Sequence, residues 1–151
     1  MKNLIKYLFF VSLVFFVGCS GIKIINSPSP PQIKVDEGLI YFYRPSSFFG
    51  AALTHRIMQN EQIIGALNPG TYFYCSMKPG KNEFSIKVYG EPISNFELTV
   101  EPGKVYFIRV RSKPRLFSNW SILSGETRAA SIDQKTAELE IAKCKLGVLE
   151  K

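Results

Sequence analysis

One histidine, one tryptophan and three cysteines are all that the 151 residues contain of those types. A His-rich metal centre is therefore excluded, and any catalytic triad would have to use His55. No G-x-S-x-G, H-E-x-x-H, phosphate-binding loop or glycine-rich dinucleotide fingerprint occurs, so no reaction is written in a motif. His55 stands beside Arg56 in the run Leu53-Thr54-His55-Arg56-Ile57 and reads as a surface strand residue. Asp36, Glu37, Glu83, Glu91, Glu97 and Glu101 are scattered, and none supplies it with an acid partner. The sequence offers no catalytic residue, no metal ligand set and no cofactor motif, so a non-catalytic protein is expected. Helical stretches between strands are also missing, which excludes βαβ units. At this length there is room for one ordinary domain.

Apolar residues make up 46% and charged residues 21% of the chain, as in globular proteins, so a folded core is expected. The chain opens with MKNLIKYLFFVSLVFFVGCSG. Lys2 and Lys6 precede an apolar run over residues 7–17, and Gly18 is a small residue before Cys19. That is the three-part plan of an export signal, and the run is short of the ~20 residues that span a bilayer. Phe16-Val17-Gly18-Cys19 resembles the lipobox of bacterial lipoproteins, with Phe16 where Leu is usual. The resemblance implies that Cys19 is acylated after cleavage of residues 1–18. Ser20 stands where an Asp would mark inner-membrane retention, so the outer membrane, periplasmic face, is favoured; the inner membrane's outer leaflet and the cell surface are the alternatives.

Residues 19–37, with Ser27-Pro28-Ser29-Pro30-Pro31 at their centre, read as a proline-rich tether. From residue 38 onward, short runs alternate apolar and polar positions, as in Phe84, Ile86 and Val88 against Ser85 and Lys87. That period of two marks strands with one buried face. Residues 39–44 are apolar on both faces, the mark of a central strand. Asn60-Glu61 suits a two-residue hairpin turn. Pro69-Gly70, Pro79-Gly80 and Pro102-Gly103 each stop a strand, since Pro presets φ at the first corner and Gly accepts positive φ at the second. The fold class expected is mainly β: an antiparallel β-sandwich of seven or eight strands over 38–151. Trp120 lies in a last strand or covering loop. Asp133 caps a C-terminal helix, packed on the sheet, that reaches about Leu146, with a short strand near Leu139 and Ile141 as the alternative.

Gly-Leu-Ile-Tyr-Phe-Tyr-Arg-Pro at 38–45, Ile-Gly-Ala-Leu-Asn-Pro-Gly-Thr-Tyr at 64–72, Lys-Pro-Gly-Lys-Asn at 78–82 and Val-Glu-Pro-Gly-Lys-Val-Tyr-Phe at 100–107 carry a further likeness. In order and spacing they resemble the bacterial lipoprotein domain of unknown function catalogued under number 2846. The resemblance covers about residues 38–111. It implies a β-sandwich of prealbumin-like or carboxypeptidase-regulatory-like type on a lipidated periplasmic protein, and it implies no reaction.

Four residues are candidates for binding. Arg44 ends an apolar strand, either as a clamp on the following loop or as a ligand-binding cation. Phe48 and Phe49 are adjacent in a small-residue loop that can hardly bury both, and Trp120 lies further on. Cys75 and Cys144 are either a disulfide, favoured by an oxidising compartment, or two separate buried thiols. The function expected is that of a lipid-anchored cell-envelope binding or structural module, held to the membrane by its N-terminal lipid. A periplasmic carbohydrate or small-ligand module is the alternative, with Tyr41, Tyr43, Tyr72 or Tyr74 in an aromatic groove. A small envelope hydrolase is a third choice. The mature chain keeps 17 basic against 12 acidic residues. For an exported protein this excess suits anionic lipid headgroups, lipopolysaccharide phosphates or peptidoglycan carboxylates and not nucleic acid; the partner expected of a binding module there is an envelope protein or a glycan.

Overall fold

The computed structural model describes residues 22–25, 31–114 and 125–149. Its elements are β1 (Ile22–Ile25), β2 (Gly38–Arg44), β3 (His55–Gln59), β4 (Gln62–Leu67), β5 (Thr71–Met77), β6 (Gly80–Val88), β7 (Glu91–Val100), β8 (Val105–Pro114), β9 (Gly125–Ser131), α1 (Gln134–Ile141) and β10 (Lys145–Leu149). One sheet has six strands in the order β1-β10-β5-β2-β8-β9, the other four in the order β4-β3-β6-β7. The chain is mainly β, and the two sheets face each other across a shared core.

The turns follow the sequence. Asn60 and Glu61 both have positive φ, at 47° and 63°, the pairing that a two-residue hairpin with the right-handed strand twist requires. Gly70 and Gly103, each after a proline, have φ of 74° and 68°. Between the sheets, Phe42 stacks on Phe73 with centroids 5.1 Å apart, and Phe84 stacks on Phe96 at 5.1 Å. Ile40, Ile57, Leu67, Ile86, Ile108 and Val110 fill the space around them. Gly65 is bare because the Phe73 ring lies where its Cβ would be.

Several expectations are corrected. The described residues of 38–151 supply nine strands and Ile22–Ile25 a tenth, against the seven or eight expected. The sandwich is not wholly antiparallel, since β2 runs parallel to β8 and β10 parallel to β5. The helix stops at Ile141, well short of Leu146. Asp133 caps it, accepting from the Thr136 N–H at 3.0 Å, but the chain turns at 142–144 and enters β10, anchored by Lys145 N–H donating to the Gly70 carbonyl at 2.9 Å. The alternative strand at 139–141 is not formed either. Part of the expected tether is strand: Ile22–Ile25 pairs antiparallel with β10, because β10 would otherwise leave its outer row of backbone donors and acceptors unpaired.

Strand β2 lies in the middle of the larger sheet and is buried on both faces. Its even residues, Ile40 and Phe42, enter the inter-sheet core; its odd residues, Tyr41 and Tyr43, join Phe107, Ala137, Tyr72 and Ile141 in a second cluster on the outer face. Helix α1 covers part of that face.

Candidate functional site

The outer face of the larger sheet is floored by aromatic rings. Tyr41 stacks on Phe107 at 5.3 Å and 16°, with Tyr74 5.7 Å and Tyr72 6.3 Å from Tyr41. Adjacent strands present them because residues alternate in facing and Tyr41 lies opposite Tyr74 on one side and Phe107 on the other. A groove of about 450 Å³ runs over these rings, walled by Gln134 and Glu138 of α1. Pro31 and Ile33 line its other side, so the segment leading into the domain crosses the aromatic face. The Tyr41 and Tyr72 phenols are raised from their ordinary pKa by burial first and by their neighbouring tyrosines second. They stay protonated and able to donate.

Helix α1 is held over this face by one carboxylate. Glu140 accepts from the Tyr43 hydroxyl at 2.7 Å, from Arg109 at 3.0 Å and from Arg111 at 3.0 Å. Desolvation pulls the Glu140 carboxyl upward, but the Tyr43 hydrogen bond and the two guanidinium groups outweigh it and hold the group below its ordinary value. Burial and the same hydrogen bond push the Tyr43 phenol up. Tyr43 is fully buried, so of the four tyrosines expected in a groove it is the one that serves the scaffold.

Arg44 is 1% exposed. Its guanidinium donates to the Gly50 carbonyl at 2.7 Å and to the Leu53 carbonyl, and it lies 2.8 Å from His55 Nδ1. It clamps the 45–54 loop. His55, expected on the surface, is completely buried, a correction caused by Arg44 reaching inward to meet it. A guanidinium has only donors, so Nδ1 must accept and Nε2 must carry the proton. Nε2 then donates toward Ser112 Oγ at 2.9 Å or Thr127 Oγ1 at 3.2 Å. Burial first and the Arg44 charge second pull the imidazole down to about 4. A general base would need the opposite tautomer, with Nε2 free to take the serine proton; this arrangement presents the proton to the serine instead.

Phe48 is fully exposed at the tip of the clamped loop, whereas Phe49 is half-buried. Cys75 and Cys144 stand as two separate free thiols. Cys75 packs into the inter-sheet core, while Cys144 lies against the Glu140 and Arg44 carbonyls beyond the end of α1. Burial pushes the Cys75 thiol up to about 12, and burial followed by Glu140 pushes Cys144 up to about 11. Cys19 and Trp120 lie outside the described residues. Among the described residues no group of three His, Cys, Asp or Glu side chains could hold a metal ion, and no helix is long and apolar enough to cross a membrane.

Sequence reasoning missed Glu140 and Phe107. Phe107 was visible only as one of several alternating positions, and the Glu140 partners are 97, 31 and 29 residues away, beyond any local pattern.

Two facing sheets, a short clamped helix and an open aromatic groove define a β-sandwich domain with one face left accessible. The chain belongs to the family described as Protein of unknown function (DUF2846), whose family model matches residues 34–119. No curated protein and no solved structure gives a significant match.

Proposed function

We propose that the protein is a non-catalytic, lipid-anchored binding module of the cell envelope, acylated at Cys19 and displayed on the periplasmic face of the outer membrane, and that its aromatic groove receives a glycan. The observation that carries this reading is the outward platform of Tyr41, Tyr72, Tyr74 and Phe107 under one short helix. Aromatic faces offer apolar area to the C–H face of a sugar ring, while Gln134, Glu138 and the phenol hydroxyls stand within the same lining to meet its hydroxyls. The inward-locked tautomer of His55 supports a non-catalytic role. From Cys19 to Ile22 there are three Cα steps, a reach of at most about 11 Å, so acylation would keep the β1 edge close to the bilayer.

The test is titration of the full mature chain, in non-ionic detergent, with N,N′-diacetylchitobiose and longer chitooligosaccharides, followed by amide chemical shifts. Shifts confined to the groove and abolished by Tyr72→Ala support the reading; unchanged spectra at millimolar sugar overturn it. Palmitate labelling lost in Cys19→Ala tests the anchor separately. A second reading, an envelope protein docking on the 46–54 loop, is favoured by the complete exposure of Phe48. A photocrosslinker at position 48 that traps one defined envelope protein, in a manner lost on Phe49→Ser, would support it.

A further inference from the structure

A second concavity, of about 350 Å³, lies at the end of the sandwich between the start of the clamped loop and β8. Three of its lining residues are cations, Arg44, Arg111 and Lys113; three are serines, Ser46, Ser47 and Ser112; the remaining two are Pro45 and Val110. No carboxylate is among them. Arg111 donates one N–H to Glu140 of α1 at 3.0 Å, and a guanidinium carries five such donors. Cations that are scattered in the sequence are gathered here by strand alternation, since Arg109, Arg111 and Lys113 occupy successive outward positions on β8.

Ser112 is engaged with His55 and Thr127 at 2.9 and 3.1 Å, so it forms the pocket's inner wall. Ser46 and Ser47 are exposed and present hydroxyl donors at the mouth. Arg44 is committed to Gly50, Leu53 and His55; it contributes a fixed positive charge at the base, in a setting that desolvation makes electrostatically stronger than water. A donor-rich cavity of this size, with no carboxylate among its described lining residues, suits a tetrahedral oxyanion with several acceptor atoms and part of the group that carries it. Fully exposed Phe48 follows directly after Ser47, next to where an attached apolar chain would leave.

We infer that this pocket is a phosphate-binding site, taking a phosphomonoester through Arg111, Lys113 and the Ser46 and Ser47 hydroxyls. The same chemistry is offered by a free or sugar-borne phosphate and by a lipid phosphate headgroup, and the two sources differ in whether Phe48 takes part.

The experiment uses the full mature chain in non-ionic detergent, with amide and side-chain shifts followed during titration with inorganic phosphate, glucosamine 1-phosphate and dihexanoyl phosphatidic acid. Saturable shifts at Ser46, Ser47, Arg111 and Lys113 are expected, with affinity reduced at least about tenfold in R111Q/K113Q, whose changes are at exposed positions. Y72A leaves this binding unchanged. A preference for the lipid that disappears in F48A assigns the site to a headgroup; equal affinity for the lipid and the sugar phosphate, insensitive to F48A, assigns it to soluble phosphates. The inference is overturned if phosphate produces no saturable shifts at these residues, if R111Q/K113Q binds as the parent does, or if chloride at equal ionic strength displaces phosphate completely.

Discussion

The Arg44 guanidinium lies 2.8 Å from His55 Nδ1, with both side chains buried. This contact joins the end of the central strand β2 to the start of β3 in the opposite sheet, and through Nε2 it continues to Ser112 and Thr127. A polar chain thus crosses an apolar sandwich, and it is tolerated because each member is hydrogen-bonded.

Stability should depend on pH through His55. Its pKa is pulled from 6.5 to about 4 by burial and by Arg44, so between those values the unfolded chain binds a proton that the folded chain does not. Stability is complete above about pH 6.5 and falls as pH drops toward 4, by roughly 3 kcal/mol in all. Urea unfolding at pH 7.5 and pH 4.5 measures this. A His55→Gln variant should lose most of the difference between the two; an undiminished slope in that variant would assign it elsewhere.

Glu140 should prove to be the fastening of α1. Glu140→Ala leaves the buried Tyr43 hydroxyl without its acceptor and frees Arg109 and Arg111, costing about 1–2 kcal/mol after allowance for partial solvent exposure. Because its folded pKa is lowered, this contribution is present above the unfolded carboxylate pKa and is lost as pH falls through the lower folded value. Hydrogen exchange over 134–141 should accelerate more than exchange in β6 and β7. Uniform acceleration across both sheets would contradict a local fastening.

Gly65→Ala should be costly although it adds a single methyl group. The new Cβ would collide with the Phe73 ring, and overpacking of this kind costs about 1–3 kcal/mol. Phe73→Leu in the same chain should recover part of the loss, giving a favourable coupling energy in a double-mutant cycle. Simple additivity of the two losses would show that the ring is not what Gly65 accommodates.

Both thiols should react slowly while the chain is folded. With Cys75 near 12 and Cys144 near 11, little thiolate exists at pH 8, and Cys75 is also packed in the core. In urea, both should react at once with a thiol-specific reagent without prior reduction. A mature chain from which Cys19 has been removed, and which shows no reactive thiol until a reductant is added, would show the pair to be bonded.

The strands, their turns and the buried character of residues 39–44 could be read from the sequence because these are local properties. Period-two alternation follows from backbone pleating, and the positive φ of Gly70 and Gly103 follows from the dipeptides they end. The choice of neighbours could not be read in this way. Whether β2 lies beside β8, and in which direction, depends on contacts more than sixty residues apart, and alternation is indifferent to that choice. The same indifference hid the extent of the helix: Asp133 caps it as expected, but Lys145–Leu149 was captured by the edge of β5, which a helical pattern cannot foresee.

By itself, then, the amino-acid order determined that the chain is a β protein with strands bounded by Pro-Gly turns, and it pointed to Arg44, the phenylalanine loop and the tyrosines as residues to explain. Only the tertiary structure decided which way each one faces. It placed Arg44 inward against His55, left Phe48 in solvent, and gathered Tyr41, Tyr72, Tyr74 and Phe107 into one floor and Arg111 and Lys113 into one pocket. The physical reason is that alternation assigns residues to two faces of a strand without saying which face will be covered. That assignment is made when the sheets pack and a short helix shields only part of what remains.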